Sequence, residues 1–308
     1  MFTLLPSRAV VVPTLAMILA AVSPGAMHGQ DVPTLDPDQA LDYGWLYSQP
    51  DDGIVFTGVA QGVQSTNLLS IPISFWLLRV PCCGNPPNPK VDGRTFGLRL
   101  RITGVIGLAQ FDSISNFDIT SANLGAIFPG VELLFKTGQR SMLRPYLDIG
   151  YAAASSDSTS LWYGELGLRT EFVFPWKRWE LGLEPRLRGG YGFTDIRNAD
   201  LGNVTISSKI DARYPLGFKI AGQTPDVGAY FEPSWSPNPI TFLSSDGTEE
   251  SVLWQFEVGG TVGFRYLGPM ICDLFRWMRL GVGYRFGEGT SGWHIRIGGD
   301  RLTRLPLP

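Results

Sequence analysis

Nucleophilic catalysis at neutral pH ordinarily recruits a histidine base, and this sequence holds two histidines, His28 and His294. His28 falls in a stretch expected to be removed on export, which leaves His294, with Ser291 three residues before it. A serine hydrolase dyad would need an orienting polar partner beyond this pair, and no motif supplies one. The plainer reading of His294 is a member of a polar network. The carboxylates Glu165 and Glu184 offer acid/base chemistry in principle, but ion pairing to Arg169 or Arg186 is the simpler role. Three cysteines, Cys82, Cys83 and Cys272, are too few for a disulfide framework. One bridge from Cys272 to Cys82 or Cys83, or three free thiols, remain open. No histidine lies near them, and the glycines fit no phosphate loop, so no catalytic residue, metal or cofactor is expected.

What the sequence does hold is charge at every second position. From 143 to 151, Leu143, Pro145, Leu147, Ile149 and Tyr151 oppose Arg144, Tyr146, Asp148 and Gly150. Trp162, Gly164, Leu166, Leu168, Thr170, Phe172 and Phe174 then oppose Tyr163, Glu165, Gly167, Arg169 and Glu171, and Trp179 to Leu187 opposes Glu180, Glu184, Arg186 and Arg188. A period of two is a strand period. The same pattern places Arg99 and Arg101 opposite Phe96 to Ile102, and puts Glu132 within a strand over 127–137. It also sets Glu257 and Arg265 opposite Trp254 to Tyr266, Arg279 and Arg285 opposite Met278 to Phe286, and His294 and Arg296 opposite Trp293 to Ile297. A strand at 54–62 and weaker ones at 68–79, 204–218 and 227–235, bearing Pro72, Pro215 and Pro233, bring the expected total to about twelve, with ten or fourteen allowed. Loops are expected at 81–93, 110–125, 193–203 and 236–250.

The first residues set the compartment. Arg8 precedes an apolar run from Ala9 to Val22, interrupted by Pro13 and followed by small residues, which reads as a secretory signal over 1–29. A periplasmic leader over 30–52, with one short helix at 37–47, a barrel over 53–300 and a tail over 301–308 complete the expected organisation. The chain carries 25 basic and 28 acidic residues, a net charge of −3, so a nucleic-acid patch is not supported. No later segment approaches about 18 consecutive apolar residues, which excludes a helical membrane protein. Long strands, aromatics near strand ends and the export signal favour a closed antiparallel transmembrane β-barrel in the outer membrane of a Gram-negative-type bacterium, with charges turned to the lumen. An even strand number puts both ends of the barrel in the periplasm, with long loops outside and short turns inside.

Two interior readings follow. In the first the charges pair across strands and fill the bore. In the second the arginines line a narrow channel for small anionic solutes.

The run from Arg94 to Gly192 resembles the family of solitary outer-membrane autotransporter-like barrels. The likeness rests on the arginine-bearing strand Thr95 to Thr103, on Phe128-Pro129-Gly130-Val131-Glu132, and on Leu143-Arg144-Pro145-Tyr146 with Ile149-Gly150-Tyr151. Tyr163-Gly164-Glu165-Leu166-Gly167-Leu168-Arg169 follows in the family's order. The resemblance implies a twelve-strand translocator-type barrel without a passenger, no catalytic residues, and outer-membrane lipid and the barrel assembly machinery as partners.

Overall fold

Alternation gives each strand two faces of opposite polarity, and a sheet that curls until its edges meet must turn one of them inward. The computed structural model of the chain describes residues 53–61, 64–78, 95–111, 121–138, 140–154, 160–194, 201–220, 224–243, 249–264, 279–288 and 290–298. The expected signal, leader with its short helix, cysteine segments, Arg265 and tail lie outside the described residues. Twelve strands are present: β1 (Gly53–Gln61), β2 (Gln64–Leu78), β3 (Phe96–Phe111), β4 (Ser121–Lys136), β5 (Ser141–Ala154), β6 (Ser160–Trp176), β7 (Trp179–Thr194), β8 (Leu201–Pro215), β9 (Pro225–Leu243), β10 (Glu249–Phe264), β11 (Leu280–Gly287) and β12 (Thr290–Gly298). Each pairs antiparallel with its sequence neighbours, and β1 closes on β12 from Gly53↔Gly298 to Gln61↔Thr290. Closure pairs every strand on both sides along at least part of its length.

The charged face is the inner one. Arg144 is 2% exposed and Glu132 is 0% exposed, whereas Leu166 on the opposite face is 65% exposed. A soluble sandwich would show the reverse polarity. Among the described side chains pointing outward between the aromatic ends of the strands, none is charged. That wall is built for apolar surroundings.

Aromatic pairs mark both ends of the apolar belt. Tyr151 packs on Trp162 at 5.1 Å between ring centroids at one end, and Trp179 packs on Tyr214 at 5.0 Å at the other. Along β6, Trp162 and Trp176 stand roughly 35 Å apart along the axis for about 3.4 Å per residue and a tilt near 40°. This matches a hydrocarbon core of about 30 Å with a ring of aromatics at each interface.

The uncertain strands are all present. Pro72 lies within β2, Pro233 within β9, and Pro215 ends β8. Strand reaches into three of the expected loops from both sides. β3 runs on to Phe111 and β4 begins at Ser121; β7 reaches Thr194 and β8 begins at Leu201; β9 reaches Leu243 and β10 begins at Glu249. Pro237 and Pro239 do not end β9 but shift its register against β10 between Val252 and Trp254. The expected loop bounds at the outer end are therefore a correction, since polar residues that look like loop still satisfy their backbone groups on a neighbour, while 112–120, 195–200 and 244–248 lie outside the described residues. The mouth is uneven. β10 pairs with β11 only up to Gln255↔Gly287, so Glu249 to Trp254, with the end of β9, rise past the β11–β12 hairpin.

Candidate functional site

The interior is assembled by register. Some charges meet directly across a strand pair: Arg99 opposes and bridges Glu132, and Arg285 opposes Glu257, its Nη2 at 2.7 Å from Oε2. Others are set beside their own kind, for Arg144 opposes Arg169 and Asp148 opposes Glu165. Like charges side by side are unfavourable, so these side chains must reach further.

Glycines on the inner face let them do so. Gly130 stands in register between Arg101 and Asp148, and a Cβ there would overlap the Asp148 carboxylate. Without it, Arg101 holds Asp148 through Nε and Nη2 across the intervening strand. Tyr146 lies over Gly167, where a Cβ would strike its ring, and its hydroxyl donates to Glu165 Oε1 at 2.5 Å. The same ring carries the guanidiniums of Arg101 and Arg169 at 4.5 and 4.9 Å from its centroid. Arg144 completes the group, donating to Glu132 at 2.6 Å and to Glu171 at 2.5 Å.

A second group repeats the device. Tyr230 lies over Gly259 and Gly283 and donates to Glu257 Oε1 at 2.7 Å, while Lys209 sits 4.8 Å from its ring centroid. Glu257 also accepts from Arg285 and meets His294 Nδ1 at 3.1 Å. Arg186 joins Glu184 at 2.7 Å and Glu232 at 3.3 Å. Nearer the end that holds the termini of the barrel, Arg279 pairs with Asp226 and donates to Thr261 at 2.7 Å, and Arg213 lies 2.8 Å from Asp211.

The sequence-derived lining residues Arg99, Arg101, Glu132, Arg144, Asp148, Glu165, Arg169, Glu171, Glu184, Glu257, Arg279, Arg285 and Arg296 are all buried on the inner face. Arg186 and Arg188 are half-buried there. Lys209, Asp211, Arg213, Asp226 and Glu232 complete the interior and are missing from the sequence reading. Their signal is the period-two run Lys209, Asp211, Arg213, masked by the prolines of that region. Ser291 and His294 differ in parity along β12 and point to opposite faces, so they form no dyad. Among the described residues, no group of three His, Cys, Asp or Glu side chains is arranged to hold a metal ion.

Charge nearly balances. Among the described residues, eight arginines and Lys209 are buried inside against ten carboxylates, and Arg186 and Arg188 add two cations. None of the buried set is more than 9% exposed. The charged atoms face one another, and desolvation makes each pair costly to break.

A closed antiparallel barrel of twelve strands, polar within and apolar without, has the architecture of an outer-membrane β-barrel. No protein-family model matches the sequence, and no curated protein matches it. The translocator domain of autotransporter NalP from Neisseria meningitidis is similar with a TM-score of 0.53 at 12% identity, covering 85% of this chain and 94% of that one. The transport unit of autotransporter AIDA-I from Escherichia coli gives 0.47 at 13% identity, covering 86% and 97%. KdgM porin gives 0.37 at 11% identity, covering 81% and 99%. The fold is thus that of an autotransporter-like outer-membrane barrel, as the run from Arg94 to Gly192 leads one to expect.

Proposed function

We propose that the protein is a non-enzymatic outer-membrane barrel, akin to a translocator domain without a passenger, whose bore is closed at rest by its own ion-paired side chains. The observation that carries this reading is the burial of the charged inner face from Arg99 on β3 to Arg296 on β12. Export by the 1–29 signal, folding by the barrel assembly machinery and residence in lipid belong to the same reading. The near balance of inward charge weighs against an anion-selective lining, which would need a clear excess of arginine.

Single-channel recording of the refolded full chain in a planar bilayer tests it, with reversal potential measured in a salt gradient. The expected result is a heat-modifiable, inserted protein with no steady conductance. A steady anion-selective current that falls when Arg99, Arg101, Arg186 and Arg188 become alanine would replace the plug by a channel for small anionic solutes.

A further inference from the structure

Resting on the membrane reading above, we infer that the end of the barrel holding its termini carries a docking surface for the headgroups of anionic phospholipids, formed by three consecutive hairpins. The turns between β4 and β5, β6 and β7, and β8 and β9 follow one another around that rim. They present Arg140, Lys177, Arg178 and Lys219, all exposed, with no acidic residue among the described turn positions. Successive hairpins lie two strands apart, so the four charges span an arc on the order of 25 Å. Such spacing suits several headgroups side by side rather than one chelated ion.

Three further observations point to lipid as the occupant. First, the charges sit at the aromatic edge of the apolar belt. Trp176 and Trp179 flank the Lys177-Arg178 turn at 58% and 41% exposure, and Phe218 and Ile220 flank Lys219 at 53% and 50%. An ammonium bracketed by exposed apolar groups is the pattern of an interfacial anchor, its apolar part among the acyl chains and its charge among the phosphates. Second, Lys177 has a φ of 56°, the left-handed region that favours glycine or asparagine in a two-residue turn. A lysine kept there holds its ammonium beside Trp176, 5.8 Å from the ring centroid. Third, the sign of the charge differs between the two ends: among the described turn residues this end carries only the four cations, whereas the hairpin between β11 and β12 at the other end carries the exposed carboxylate Glu288.

The test refolds the full chain into vesicles of equimolar phosphatidylglycerol and phosphatidylcholine, with one or the other lipid brominated, and reads tryptophan quenching. The wild type is expected to favour phosphatidylglycerol by about fivefold, the worth of a single interfacial cation. The variant R140Q/K177Q/R178Q/K219Q, shown by heat-modifiability to insert, is expected to lose the preference, and K177R/K219R to keep it. Equal quenching by both lipids in the wild type overturns the inference, as it would if the rim served an acidic protein or glycan instead. So does a preference that survives in the quadruple variant. Failure of the wild type to insert in either lipid would remove the membrane reading along with it.

Discussion

At the scale of single residues the interior behaves as a set of linked pairs. Arg144 serves both Glu132 and Glu171, so Arg144→Ala takes a partner from two buried carboxylates and leaves Glu132 to Arg99. The expected loss is about 3–5 kcal/mol, read as a lowered urea midpoint in vesicles, against less than about 0.5 kcal/mol for the exposed Lys177→Ala. Gly167→Val should cost about 1–3 kcal/mol by pushing Tyr146 off its seat. Tyr146→Ala in the same chain should recover part of that overlap, so the double-mutant cycle is expected to be non-additive. The charges themselves are visible in the alternation of residues such as Arg99, Arg101 and Glu165. Their partners are not. Which carboxylate Arg101 reaches depends on Gly130 lying between it and Asp148, and that is a fact of register between three strands.

The elements follow from a different balance. Phe96 to Ile102 and Leu143 to Tyr151 alternate cleanly, and both are strands where the sequence places them. At 236–250 the prolines and the Asp246-Gly247 pair look like loop, yet β9 and β10 pair to Leu243↔Glu249, because turn-forming composition does not prevent pairing when a neighbouring strand is already aligned. The outer face of each strand also sets a depth-dependent tolerance. Leu168→Arg, in the middle of the belt on β6, is expected to cost about 2–4 kcal/mol, whereas Phe174→Arg, two residues short of Trp176 at the aromatic end, should cost less. Urea titration of both in the same vesicles checks the gradient. Equal costs would mean that this face does not meet lipid.

For the whole molecule, the aromatic spacing fixes a preferred surrounding thickness. Refolding yield is expected to peak in bilayers with a hydrocarbon core of about 25–30 Å and to fall in markedly thicker ones. Parity and strand count are legible in the sequence, and so is the inversion that turns charge inward once export is inferred. The height of the wall is not, because it depends on where pairing stops rather than on where alternation does. That height has a further consequence. With Glu249 to Trp254 standing past the β11–β12 hairpin, the mouth is a ramp, higher by roughly 15 Å on the β9–β10 side for six residues of tilted strand. A protease added outside sealed vesicles therefore meets the tip between β9 and β10 before the turn between β11 and β12. Early digestion should clip the summit of the ramp and spare its foot, leaving a shortened wall that is still a closed ring.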